Sequence, residues 1–294
     1  MALVPVLGSF LILLLPAPLG YQRVKGGATS SAAAALLCAA VAAFFGGAGM
    51  ALFAATLAIS GFVQCGSLLR GERDDLAIIR GTIVPLIVVG AGLGAYFLAA
   101  RTDPWALLDK NLAEGVKQTL ALYRQMGLRE EDIAALTPTL TLMSRLVSDY
   151  LPALCVSGMA STSYMNWLII RRYSEKAGLV PPREAKLAMW AAPDYAIWGV
   201  IIPGFLMIPP EPVLRQMAGN LLAVFGMVYL FQGLAIAAHL SERLRLSALV
   251  KAVCFLIMLL QPYLAAAIFA AGLFDTWADF RKIRKKPAGG AGVA

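Results

Sequence analysis

The sequence predicts an all-α, polytopic membrane helical bundle, and three observations predict it. Hydrophobic residues fill 60% of the 294 positions, against roughly 45–50% in an ordinary globular chain. Charged residues are only 14%, against about 25%. The apolar residues also gather into runs close to the ~20 residues that a helix needs to cross a ~30 Å hydrocarbon core. A water-soluble domain of this length has too little interior to hide them.

The runs give about eight transmembrane helices, over 3–20, 28–45, 49–69, 82–100, 150–170, 195–208, 220–240 and 252–274. The first has no basic leader and is followed by Arg23 and Lys25, so it reads as an uncleaved helix and not as a signal peptide. Gly46, Gly47 and Gly49 separate the second from the third. The first and sixth are short and carry prolines (Pro5, Pro16 and Pro18; Pro203, Pro209 and Pro210). Pro262 interrupts the last run, so a re-entrant hairpin is an alternative there.

Between the fourth and fifth runs lies a stretch of a different kind. Trp105, Leu108, Leu112, Val116, Leu120, Tyr123 and Met126 recur at steps of three and four. They line one face of a helix, and Asp109, Lys110, Glu114, Lys117 and Arg124 occupy the other. This is an amphipathic interfacial helix, lying in the membrane plane or packing on the membrane body. Gly127 ends it, and a short segment over 129–136 leads to Pro138. The expected organisation is one membrane-embedded domain over 1–280 with an interfacial insertion over 103–137. A basic, disordered tail follows over 281–294.

The net charge is +8, but the basic residues stand in short groups between apolar runs. No single face is basic enough to follow a phosphate backbone, which argues against nucleic acid. Loops touching anionic lipid fit better. Counting Lys and Arg by side nearly balances, so the orientation stays open; the connection over 171–186, with five basic residues, is the best cytoplasmic candidate.

Catalytic signatures are missing. The chain has no GxxxxGK[ST] to hold a nucleotide, no HExxH and no GxSxG. Cys38, Cys65, Cys155 and Cys254 stand apart and there is one histidine, His239, so no metal, cofactor or disulfide framework is expected. The chain does not read as an enzyme.

Polar groups at membrane depth are costly and are the better clues. Gln64 lies near the end of the third run. Asn166 and Trp167 lie late in the fifth, and Asp194 follows Pro193 close to Trp190 and Trp198. Gln232 is central to the seventh run and Gln261 to the eighth. With a rise of ~1.5 Å per residue, both glutamines fall about 12–14 Å from the same membrane face. They are expected to point inward, towards each other or a shared cavity. The candidate cavity or ligand-binding residues are therefore Gln232, Gln261, Asn166, Trp167, Asp194 and Trp190.

Two stretches carry a family resemblance. One is Tyr229-Leu-Phe-Gln232-Gly233-Leu-Ala-Ile, followed by Gly272-Leu-Phe-Asp275-Thr-Trp277-Ala-Asp279-Phe280-Arg281-Lys282. The other is Trp190-Ala-Ala-Pro193, with a weaker match at the turn over 18–26. They resemble the YybS-like family of bacterial inner-membrane proteins (domain of unknown function 2232). The family's motif residues map to Pro193, Gly233, Asp275, Trp277, Asp279, Phe280 and Arg281. That resemblance implies a multi-pass inner-membrane protein of about eight spans. It also implies a distant similarity to the substrate-binding subunits of energy-coupling-factor vitamin transporters.

Without the resemblance, Asp275 and Asp279 are i,i+4 partners, Trp277 and Phe280 are interfacial aromatics, and the basic run beyond meets headgroups. Alternatively, one of the aspartates pairs with Arg243 or Arg245 and pins the last two helices. Two functions follow as expectations. One is a small-molecule-binding transport component needing separate energising subunits, its ligand undefined. The other is a structural or scaffolding protein of the cell envelope. In both the lipid bilayer is the first partner.

Overall fold

The structure, a computed structural model, describes residues 12–181 and 187–283. Every regular element among them is helical. They form two compact units, Met1–Arg183 and Glu184–Ala294, where the sequence suggests one domain over 1–280. Each unit closes a core of its own. In the first, Ala17, Leu68, Ala77, Trp167 and Ile170 pack together. In the second, Ala192, Ala196 and Tyr229 do.

The first unit begins with α1, Pro16–Leu69. Straight, its 54 residues would run about 80 Å. It is not straight. Gly27 (φ 84°) and Gly47 (φ 69°) leave helical geometry for the left-handed side, which glycine alone adopts freely. The Ser31 hydroxyl donates to the Leu19 carbonyl at 2.8 Å, although twelve residues of helix would separate them by about 18 Å. The chain therefore doubles back at Gly27. The turn expected over 18–26 is helical, and the reversal comes just after it.

α2, Asp74–Ala100, opens with Asp74 and Asp75 against its positive N-terminal end. α3, Pro104–Gln125, is the expected amphipathic helix, with the Asp103 side chain accepting from the Trp105 amide at 2.9 Å. Its half-buried residues include Leu108, Leu112, Val116, Leu120 and Tyr123. They face α4, Glu130–Lys176, to which Asp109 is also tied by the Ser148 hydroxyl at 2.6 Å. α4 runs unbroken through Pro138 and Pro152. The separate segment over 129–136 is its first turns, since each proline removes one backbone bond from a helix of 47 residues.

In the second unit, 3₁₀ turns at Leu187–Met189 and Asp194–Ile197 precede α5, Trp198–Leu206. The nine residues of α5 reach about 14 Å, too short to cross a bilayer. α6, Pro212–Arg243, is long and apolar. α7, Ala248–Leu260, and α8, Pro262–Ala278, meet at an angle of 98°. Gln261 between them is extended (φ −94°, ψ 111°), the conformation a following proline imposes.

Among the described residues, three helices are long and apolar enough to cross a membrane: α1, α2 and α6. A fourth is added if the bent α7–α8 pair is one span. The eight expected crossings do not appear as eight separate helices. The second and third lie within α1, the fifth is part of the more polar α4, and the sixth is shortened to α5. The first lies partly outside the described residues, as does most of the basic tail.

Candidate functional site

The second unit is organised by two glycines. A Cβ on Gly233 of α6 would lie 2.0 Å from the Ile268 carbonyl oxygen, and one on Gly272 of α8 would lie 2.0 Å from that of Tyr229. Backbone touches backbone, so no other residue fits at either position. This approach brings Gln232, beside Gly233, opposite Asp275, one turn beyond Gly272.

There the Gln232 amide donates to Asp275 Oδ2 at 3.1 Å, and its carbonyl accepts from the Ala192 amide at 3.1 Å. The same Asp275 oxygen accepts from Arg281 Nη2 at 2.8 Å, and its Oδ1 accepts from the Phe280 amide at 2.8 Å. Arg281 Nη1 donates to the Ala188 and Trp190 carbonyls at 2.9 and 2.7 Å. The Gln232 orientation is fixed by chemistry, because only its NH₂ can face the carboxylate and only its oxygen can face Ala192. Asp275 and Arg281 have side chains 1% exposed. Their charges are neutralised by each other and by neutral dipoles.

The loop beyond α8 makes this possible. Asp279 takes a left-handed conformation (φ 44°) at the helix end, and its Oδ1 accepts from the Ile283 amide at 3.0 Å. The chain turns back, and Arg281 enters the interior. The motif residues thus separate by role. Asp275 and Arg281 form a buried ion pair, Asp279 shapes the turn, and Trp277 and Phe280 are 63% and 57% exposed. Asp275 pairs with Arg281 instead of Arg243 or Arg245. Arg281 is interior and not the first residue of a solvated tail.

Trp190 is half-buried against the Ala192–Ala196–Tyr229 cluster, whereas Pro193 and Asp194 are exposed. Gln261 is exposed at the α7–α8 break. The pairing expected between Gln232 and Gln261 is therefore overturned. Equal depth presumed two straight helices, and Pro262 bends one of them.

Asn166 and Trp167 belong to the first unit. Asn166 Oδ1 accepts from the Ala17 amide at 2.9 Å, in the first turn of α1 where amides lack helical partners. Its NH₂ donates to the Leu13 and Thr162 carbonyls, both at 2.8 Å. Trp167 is 2% exposed in the core. Nearby, Gln64 Nε2 donates to the Ser163 carbonyl and hydroxyl, both at 2.6 Å, while its Oε1 finds no partner among the described residues. Gly81 permits that contact, since a Cβ there would lie 2.6 Å from the Ser163 hydroxyl.

Sequence reasoning missed Arg171. Placed in a basic loop, it is instead buried between Asp74 and Glu175, the latter at 2.8 Å. Its spacing to Glu175, i to i+4, was the available signal. Arg171 borders a recess of about 220 Å³ lined also by Leu68, Glu72, Trp167 and Val180. Glu72, in the turn after α1, is held down at about 2, first by its hydrogen bond from Arg70 and also by Arg80 and Ser67. Among the described residues no group of acidic, histidine or cysteine side chains could hold a metal ion.

A chain whose described residues are all-helical, with three to four helices of this length and apolarity, is a membrane protein. It belongs to the family DUF2232, described as predicted membrane protein, whose model matches residues 1–276. The match takes in Pro193, Gln232, Gly233 and Asp275, whereas Trp277, Asp279, Phe280 and Arg281 lie beyond it. No curated protein and no solved structure matches the chain.

Proposed function

We propose that the protein is a non-enzymatic, multi-pass component of the bacterial inner membrane, acting as a structural or scaffolding subunit through its helix surfaces. The observation that supports this reading is how the deep polar side chains are used. Asn166 makes three hydrogen bonds to backbone, and Gln232 is bonded at both ends of its amide. Side chains engaged in this way brace helices and have little left for a ligand. Asp275 accepts three donors and offers no free base. Large apolar residues such as Phe44 and Phe45, each 83% exposed, are left to meet lipid or partner helices.

A second reading, a small-molecule-binding transport component with separate energising subunits, is favoured by the recess beside Trp167 and Arg171. The likeness to vitamin-transporter substrate-binding subunits and to the YybS-like proteins belongs with it, as does a full complement of eight crossings. Native mass spectrometry of the detergent-solubilised protein separates the two. The scaffold reading expects a stoichiometric protein partner. A stoichiometric small molecule other than lipid, held by the protein alone, would overturn it in favour of the second.

A further inference from the structure

We propose that Arg23 and Arg70 form a binding site for a phosphate group at the end of the first unit. Both guanidinium groups converge on one bare point of α1. Arg70 Nη1 and Nη2 lie 3.3 and 3.7 Å, and Arg23 Nη1 lies 3.4 Å, from where a Cβ on Gly66 would be. The two Nη1 atoms are therefore no more than about 7 Å apart. A phosphate reaches each nitrogen at about 2.8 Å through a different oxygen, so one group can bridge them.

The two side chains are held for the purpose by different means. Arg23 donates through Nη1 to the Phe62 carbonyl, and its guanidinium carbon stands 3.5 Å from the centroid of the Phe62 ring. Arg70 spends its Nε on Glu72 at 2.7 Å, which leaves the Nη edge turned over Gly66. Glu72 also accepts from Arg80. One carboxylate thus serves two of the three arginines, and the cluster keeps an excess of positive charge. Like charges this close repel unless an anion lies between them.

The position fits the chemistry. Arg70 caps the C-terminal end of α1, a helix apolar enough to cross a membrane. Residues at such an end stand at the level of lipid headgroups. The ligand is a phosphate monoester or diester, carried by a lipid headgroup or by a soluble compound.

Thermal unfolding of the full chain in detergent tests this, with micelles doped with phosphatidylglycerol or phosphatidylcholine and, separately, with inorganic phosphate added. A ligand of the folded state raises the melting temperature. A rise with phosphatidylglycerol alone assigns a lipid headgroup, and a rise with inorganic phosphate assigns a soluble source. Arg70→Gln is the key variant, because Arg70 is exposed and Glu72 keeps Arg80. It should bind about tenfold more weakly, whereas Arg129→Gln, which removes an equal charge elsewhere, should match the parent. No rise with either phosphate compound would overturn the proposal. So would an equal rise in the Arg70→Gln and Arg129→Gln proteins.

Discussion

The Asn166 junction of the first unit and the Asp275 junction of the second hold their helices by different means, although the first unit also buries Arg171 against Asp74 and Glu175. In the first, neutral side chains bond to backbone: Asn166 to Leu13, Ala17 and Thr162, Gln64 to Ser163, and Ser60 to Gly81. In the second, a glycine-to-glycine crossing is locked by a full ion pair, Asp275–Arg281, with Gln232 beside it. A neutral bond replaces hydration at modest cost, and its loss leaves polar but uncharged groups behind. A buried charge has no such fallback. Its partner must be present, or the carboxylate is stranded in a medium that cannot solvate it. The Asp275 junction should therefore tolerate change far less than the Asn166 junction.

The sharpest way to break that comparison is Arg281→Met. It strands Asp275 and releases the Ala188 and Trp190 carbonyls, so the second unit should lose about 3–5 kcal/mol. Amide hydrogen exchange along α6 and α8 reads the loss locally. Adding Asp275→Asn should recover part of it, because a neutral amide needs no counter-charge and its oxygen can still accept from the Phe280 amide or from Gln232. If the double variant is as unstable as the single, the ion pair is not what holds the junction.

Asn166→Ala probes the neutral counterpart. It leaves the Ala17 amide and the Leu13 carbonyl without partners, at about 1–3 kcal/mol. Faster exchange should be confined to the start of α1 and the neighbouring stretch of α4. A loss equal to that of Arg281→Met would erase the distinction between the two junctions.

How far these junctions could be read from the sequence follows the same division. Local signals carried well. The membrane class, the breaks near Gly46 and Gly47, and the amphipathic stripe of α3 depend on composition and periodicity. Gln232 was visible as a deep amide, and Gly233 and Asp275 as motif residues. Arg281 was not visible as an interior group. It heads a basic run, which ordinarily means a solvated tail, and its burial depends on the left-handed turn at Asp279 and on carbonyls some 90 residues earlier in the chain. Asn166 was singled out for a cavity, yet two of its three partners, Leu13 and Ala17, lie about 150 residues earlier in the chain, which spacing cannot reveal.

Gln261 was misread for a geometric reason, and the smallest expected effect tests it. Equal depth on adjacent runs suggested that it faces Gln232, but depth adds up along a helix only while the helix stays straight. The structure bends the run by 98° at Gln261 itself and leaves the side chain exposed. Gln261→Leu should then change stability by less than about 0.5 kcal/mol, as other surface substitutions do. Gln232→Leu should cost more, since it leaves the Ala192 amide unpaired and takes one donor from Asp275. The decisive quantity is the coupling between them. Residues that share no partner have additive effects, so the double variant should fall within about 0.3–0.5 kcal/mol of the sum of the singles. A coupling of about 1 kcal/mol or more in a denaturant or thermal melt would return the two glutamines to a common junction. It would mean that the bend at Pro262 is not kept in the membrane.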